Sequence, residues 1–373
     1  MTRSDTEPAT QPDTDPGGED REALRAAVAA LLDRTPGPAA WPRLCREIGV
    51  AALAVPERYG GAGAGLPEVC VVLEELGRTL TPAPMLGSAV LAATAVLTCG
   101  DESARERLLP GIAAGTATAA LVWAGARGRW DPAAPACRWD GRLHGEAHYV
   151  LDGAEADVLV VAARTGSAHG GVRLFEVDPA DTTRTPATPL DDTRPLATVL
   201  LDGCPGRPLD AAGDGADQTA GLAHVRDVAC IALAAEQVGT AAHCLAATVA
   251  YTKQRVQFGR PIAHFQALQH RMADVHVLVE TARSAVWAAA TAAAGAGSAA
   301  ELPLLAGVAK VHCAEVVRRA AAEMVQLHGG IAITWEHEAH RYLKRAHGGA
   351  QLFGQPHEHV ARLADVVLPP ADT

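Results

Sequence analysis

Arg255-Val256-Gln257-Phe258-Gly259-Arg260-Pro261-Ile262, followed by Phe265-Gln266, is the stretch from which the rest of the chain can be organised. Its counterpart further on is Gln326-Leu327-His328-Gly329-Gly330. Taken singly, each has a plain structural reading. Arg255 suits a helix end, and Gly329-Gly330 suits a C-cap, where glycine enters left-handed backbone without a Cβ clash. The segment between them is helical: Phe265, Leu268, Met272, Val275, Val279 and Ala282 recur at steps of three and four, one long amphipathic face. Gly295 to Ser298 breaks that helix, and Pro303 suits the first turn of the next.

Working outward, three zones differ in texture. The first, 21–116, reads as a helical domain: Leu24 to Leu32, Pro42 to Ile48, Leu66 to Leu80, Ala89 to Cys99 and Ser103 to Ile112 are helix segments, with Val69, Leu73 and Leu76 sharing a face. The second, 117–207, changes period. Ala119 to Trp123, Leu143 to Val150, Val158 to Ala163, Val172 to Val177 and Thr198 to Leu201 are short Val- and Leu-rich runs between Gly, Asp and Pro turns, predicting a small β-barrel or sandwich. A linker at 208–220 leads to the third zone, 221–373, a helical bundle expected to have four helices. Residues 1–20, polar and rich in Thr, Asp, Pro and Gly, read as a disordered tail without the apolar core of a signal peptide. The fold class is α+β, helix-dominated.

Composition narrows the function classes. Of 373 residues, 49% are hydrophobic but only 4% aromatic, so the apolar mass is Ala, Leu and Val, suited to close helix packing. The net charge of -11 and the lack of a basic run argue against nucleic acid. No window of 18 apolar residues is free of charge, so no membrane span is expected. Eight scattered cysteines without a C-x-x-C pair read as reduced thiols of a cytoplasmic protein. His337-Glu338-Ala339-His340 has the wrong spacing for H-E-x-x-H, so no metal is expected. The run Gly60-Gly61-Ala62-Gly63 does not fit G-x-G-x-x-G and lacks a strong βαβ context.

Together the two motifs resemble the flavin-clamping segments of the acyl-CoA dehydrogenase family, and Val55-Pro56-Glu57-Arg58-Tyr59-Gly60-Gly61-Ala62-Gly63 and Glu74-Glu75-Leu76-Gly77-Arg78 resemble its N-terminal signatures. The resemblance runs from about Trp41 to Leu363 and implies the order helix, β, helix. It implies FAD as cofactor, an acyl-CoA thioester as substrate, α,β-desaturation as reaction and an electron-transfer flavoprotein as acceptor. It implies that Arg255 reaches the pyrophosphate of a neighbouring subunit's FAD, a task that suits a planar, two-pronged donor. Gln257, Phe258, Phe265 and Gln266 would line the same cofactor, with Gln326, Leu327, His328, Gly329 and Gly330 at its adenine end. Thr334-Trp335-Glu336-His337-Glu338 and His340 to Arg345 are similar to an actinobacterial subgroup that includes steroid side-chain enzymes and enzymes of specialised metabolism.

The chain departs from that family where the chemistry should be. Most members carry the catalytic base nine residues after an arginine; counting from Arg345 lands on Gly354, in Phe353-Gly354-Gln355-Pro356. The alternative position, ten residues before Gly239, is Ala229. Asp227 is the weak candidate that remains, followed by Glu338 and Glu358. In His148-Tyr149-Val150-Leu151-Asp152-Gly153, Leu151 stands where the family places a hydroxyl beside the flavin ring. The favoured expectation is the partner subunit of an α2β2 heterotetramer, completing an FAD site without supplying the base. Alternatives are a self-sufficient homotetramer with a displaced base, a non-enzymatic scaffold, and a flavin monooxygenase-like member of the fold.

Overall fold

The computed structural model describes residues 17–166, 171–210, 216–296 and 300–368. The N-terminal helices are α1 (Gly18–Arg34), α2 (Leu66–Thr79), α3 (Met85–Cys99) and α4 (Glu102–Ala113), with short helical turns between 37 and 59. Helix α1 therefore begins inside the stretch expected as a tail, whose first sixteen residues lie outside the described ones. Helix α2 starts cleanly because Glu68 Oε2 accepts from the Gly65 amide at 3.0 Å and Pro67 sits in its first turn.

Eight strands follow: β1 (Ala119–Val122), β2 (Cys137–Trp139), β3 (Leu143–Leu151), β4 (Val158–Thr165), β5 (Val172–Val177), β6 (Thr183–Pro186), β7 (Leu196–Cys204) and β8 (Arg207–Pro208). They form one sheet in the order β6-β7-β3-β2-β4-β5-β8. Strands β1 and β2 pair parallel with successive halves of β4, Ala119 opposite Val158 and Cys137 opposite Ala163. The sheet is covered on both sides, as β4 shows by alternation: Val160 and Ala162 join the main core, while Leu159, Val161 and Ala163 join a second core around Phe175.

The C-terminal bundle comprises α5 (Thr219–Gln254), α6 (Gln266–Thr291), α7 (Leu302–His328), α8 (Ala339–Gln351) and α9 (Pro356–Val367). Helix α5 is apolar on all faces from Val228 to Ala235, the pattern of a central buried helix. By length and composition it could cross a membrane, but 83% of its most apolar window is buried within the chain. It meets α2 at backbone contact distance: a Cβ on Gly239 would lie 1.7 Å from Glu74 O, and one on Gly77 2.0 Å from Glu236 O. Glycine at both positions lets the two helices touch, and Thr240 Oγ1 seals the crossing by donating to Gly77 O at 3.1 Å.

Candidate functional site

The two motifs lie at one end of the bundle, where α5 and α7 finish and α6 begins. Arg255 caps α5, and the chain then turns back through a two-residue hairpin, Val256-Gln257 pairing with Arg260-Pro261. Phe258 and Gly259 form its tip with φ of 54° and 76°, the left-handed pair such a tight turn requires. Phe258 is 91% exposed, Gln257 and Gln266 are exposed, and Arg260 lies 4.3 Å over the Phe265 ring. Across the bundle end, Leu327 and His328 are buried while Gln326, Gly329 and Gly330 are exposed. Tyr251 joins the two halves: its ring stacks on His328 at 4.3 Å and its hydroxyl donates to His328 O at 3.3 Å. Nothing in the sequence singled out Tyr251, whose position one turn before Arg255 was the available signal.

These residues suit a flavin nucleotide that comes from outside the chain's own packing. Among the described residues no hydrogen bond or ion pair engages the Arg255 guanidinium. A Cβ on Gly329 or Gly330 would meet nothing within 4 Å, so packing within the chain does not demand Gly330. Bare glycine and an exposed arginine at the same end of the bundle fit a surface against which a phosphate-bearing ligand lies closely.

The position at which the family resemblance would place the base is built differently. Gly354 lies in the loop between α8 and α9 with φ of 101°, and a Cβ there would stand 2.8 Å from His359 Nε2. His359 is buried and donates from Nε2 to Phe353 O at 2.9 Å; burial lowers its pKa to about 4, so the ring is neutral near pH 7. Trp130, from the β domain, closes on Phe353 with ring centroids 4.9 Å apart. Ala229 is buried in α5.

Each acid considered as a base has another task. Asp227 is buried and held by Arg362 at 3.2 Å, with Arg226 Nε at 3.6 Å, so it serves as an arginine counter-ion. Glu338 Oε1 meets His243 Nε2 at 2.9 Å, and Glu358 Oε2 accepts from the Gln355 amide at 2.8 Å, capping α9. Among the described residues no group of three or more His, Cys, Asp or Glu could hold a metal ion.

On β3, Leu151 is buried and Tyr149 bulges outward with φ of 57°, its hydroxyl donating to Ala126 O at 3.1 Å. Asp152 follows with φ of 56°, and burial raises its pKa from 3.8 to about 6 although Arg194 and Arg345 oppose the shift. The unfolded chain ionises Asp152 near pH 3.8, whereas the folded chain holds the proton to about pH 6. Stability from this group therefore rises as pH falls from 6 toward 3.8, and the ionised form weighs against folding above pH 6. Asp152→Asn is expected to melt higher than the parent at pH 8, with the gap closing by pH 4. Equal melting temperatures at pH 8 would refute this account.

Comparison with known proteins agrees along nearly the whole chain. Residues 19–116 match the acyl-CoA dehydrogenase N-terminal domain and residues 220–368 the acyl-CoA dehydrogenase C-terminal domain. The acyl-CoA dehydrogenase IpdE2 of Mycobacterium tuberculosis is 40% identical over 94% of this chain and 98% of that protein. IpdE2 of Mycolicibacterium smegmatis is 39% identical over 92% and 98%. Among solved structures, a single-residue variant of the Tcur3481-Tcur3483 steroid ACAD superposes with a TM-score of 0.81 at 30% identity, covering 94% of this chain and 98% of that one. The ChsE4-ChsE5 complex of Mycobacterium tuberculosis gives a TM-score of 0.81 at 25% identity, covering 95% and 98%. The helix–sheet–helix order, the paired motifs at the bundle end and this similarity place the chain in the acyl-CoA dehydrogenase family of FAD-dependent oxidoreductases.

Proposed function

We propose that this chain is the flavin-completing subunit of a two-chain acyl-CoA dehydrogenase. It would lend Arg255 and the Gln326 to Gly330 segment to an FAD whose ring and substrate lie against the partner. One observation carries this reading: the exposed clamp stands ready while the base position is a glycine closed by His359, with Asp227 engaged by arginines. FAD supplies hydride-accepting chemistry when bound, and removal of the α-proton requires a carboxylate within hydrogen-bond reach of the reacting carbon. The partner would provide that carboxylate. Two structural relatives support the two-chain arrangement, one described as a complex of two chains and one as a steroid enzyme named for two. A bulky, steroid-derived acyl-CoA is the substrate class we infer, with an electron-transfer flavoprotein as acceptor and the cytoplasm as compartment.

The test is bound-FAD stoichiometry by visible absorbance, on the chain alone and with its partner. The expected result is little flavin alone and about one FAD per two chains in the complex, the ratio of a split site. One FAD per chain in the isolated protein, bleached by an acyl-CoA, would sink the proposal and favour a self-sufficient enzyme.

A further inference from the structure

Among the described residues, the three most exposed large apolar side chains are Phe258, Trp335 and Ile333. They are not scattered: Phe258 is at the tip of the hairpin, and Ile333 and Trp335 follow directly after Gly330. Exposed apolar residues taken singly need no explanation, but their concentration beside one motif marks a surface that something covers. The stretch after Gly330 is also held firm. Ala332 is buried as its plug, which leaves Ile331 and Ile333 outside, Ile333 at 79% exposure. Thr334 fixes the turn: its amide donates to Ile331 O at 3.1 Å, its Oγ1 donates to the same oxygen at 2.7 Å, and the Glu336 amide donates to Oγ1 at 3.3 Å. Trp335 is 83% exposed, yet its ring is positioned by Lys344 Nζ, 4.8 Å from the centroid, and by the His340 ring, edge-on at 4.9 Å. A side chain already oriented in this way loses little freedom when a partner buries it.

The charge beside Trp335 is positive on balance. Between 336 and 345, Glu338 is taken up by His243, and Arg345 is buried with Asp191 and Glu236. That leaves Glu336 against Arg341 and Lys344, neither of which makes a salt bridge among the described residues. Arg341 and Lys344 lie at i and i+3 on α8 and so share a face. A chain of net charge -11 thus presents a locally positive rim beside its most exposed indole.

We propose that Ile333 and Trp335 are the anchor on which the FAD-carrying chain docks, through an apolar socket rimmed by carboxylates that meet Arg341 and Lys344. The occupant is a different chain and not a second copy, because a two-fold contact of this face with itself would set both cations against their own images. The inference rests on the proposed function, which brings that chain's flavin to the clamp immediately before Ile331. An oriented tryptophan at the centre of a contact, with an arginine beside it, is the kind of residue on which such interfaces depend most.

The test is association of the two chains with FAD removed from both, followed by biolayer interferometry, and then flavin content once FAD is restored. Trp335→Ala is expected to weaken flavin-free association by roughly thirtyfold or more, the scale at which truncating a buried aromatic anchor is felt. Trp335→Phe should recover part of this, and Ile333→Ser should weaken association as well. Both side chains are exposed, so the melting temperature of the isolated chain should not move. Arg341→Glu should slow association most at low salt and flatten its salt dependence. Complexes of the Trp335→Ala chain assembled at high concentration should hold FAD in the parent ratio. Unchanged flavin-free association in Trp335→Ala would overturn the proposal. So would full association with loss of FAD, which would put the indole on the cofactor. A parent chain that self-associates, and ceases to do so on Trp335→Ala, would make the occupant a second copy. Association is read without flavin, so this face can fail while the split-site stoichiometry stands. Conversely, one FAD per isolated chain would sink the proposed function without altering a Trp335-dependent association.

Discussion

Arg255→Ala is expected to strip most of the FAD from the two-chain enzyme proposed above while leaving this chain's own fold intact. The separation follows from geometry. Arg255 is exposed at the end of α5, and among the described residues its guanidinium has no partner to lose. Hydrogen bonds to a charged group are worth about 1.5–3 kcal/mol each, so losing one phosphate contact weakens FAD by roughly 10- to 150-fold, and losing two by more. Arg255→Lys should recover only part of this, since an ammonium keeps the charge but not the planar fork. Flavin retained after ultrafiltration gives the first quantity, and the melting temperature of the isolated chain gives the second. Unchanged FAD content in the Arg255→Ala complex would show that the hairpin does not hold the pyrophosphate.

The contrast between clamp and base position also shows what a sequence can disclose. Contiguous motifs were readable because a two-residue hairpin and a helix end are local structures, fixed by Phe258-Gly259 and Gly329 themselves. Most helices were readable for the same reason, through regular apolar spacing. Strands β2, β6 and β8 were missed because they are short and have little apolar alternation; β6 is an edge strand, mostly exposed, and ends in proline. The boundary placed at 207 cuts through β8, which continues to Pro208 and pairs with β5. The surroundings of Gly354 were not readable at all. Trp130 comes from the β domain, Arg226 from α5, Phe353 from the loop between α8 and α9 and Arg362 from α9, and no spacing rule announces that they meet. Only the absence of a carboxylate could be counted out in advance.

Arg345, the residue from which that count begins, has a task of its own, and its loss is expected to be the most damaging single change to stability. Its Nη1 donates to Asp191 Oδ2 at 3.2 Å and to Thr193 Oγ1 at 3.1 Å, and its Nε approaches Glu236 at 3.1 Å. Arg194 donates to the same Glu236. All four charged side chains are at most 7% exposed. Asp191 and Arg194 lie in the loop before β7, Glu236 in α5 and Arg345 in α8, so the network ties the sheet to the bundle. Removing one member of a buried ion network strands its partners in low dielectric, at a cost of about 3–5 kcal/mol. That is a large share of the roughly 5–15 kcal/mol by which a folded domain is held. Arg345→Met, similar in length but uncharged, should therefore lower the urea midpoint sharply. Adding Asp191→Asn should recover part of the loss, because less negative charge then remains without a partner. A purely steric role for Arg345 predicts no such recovery, so the double variant separates electrostatics from packing: a midpoint equal to or below that of Arg345→Met alone would mean that shape, not charge, makes Arg345 necessary.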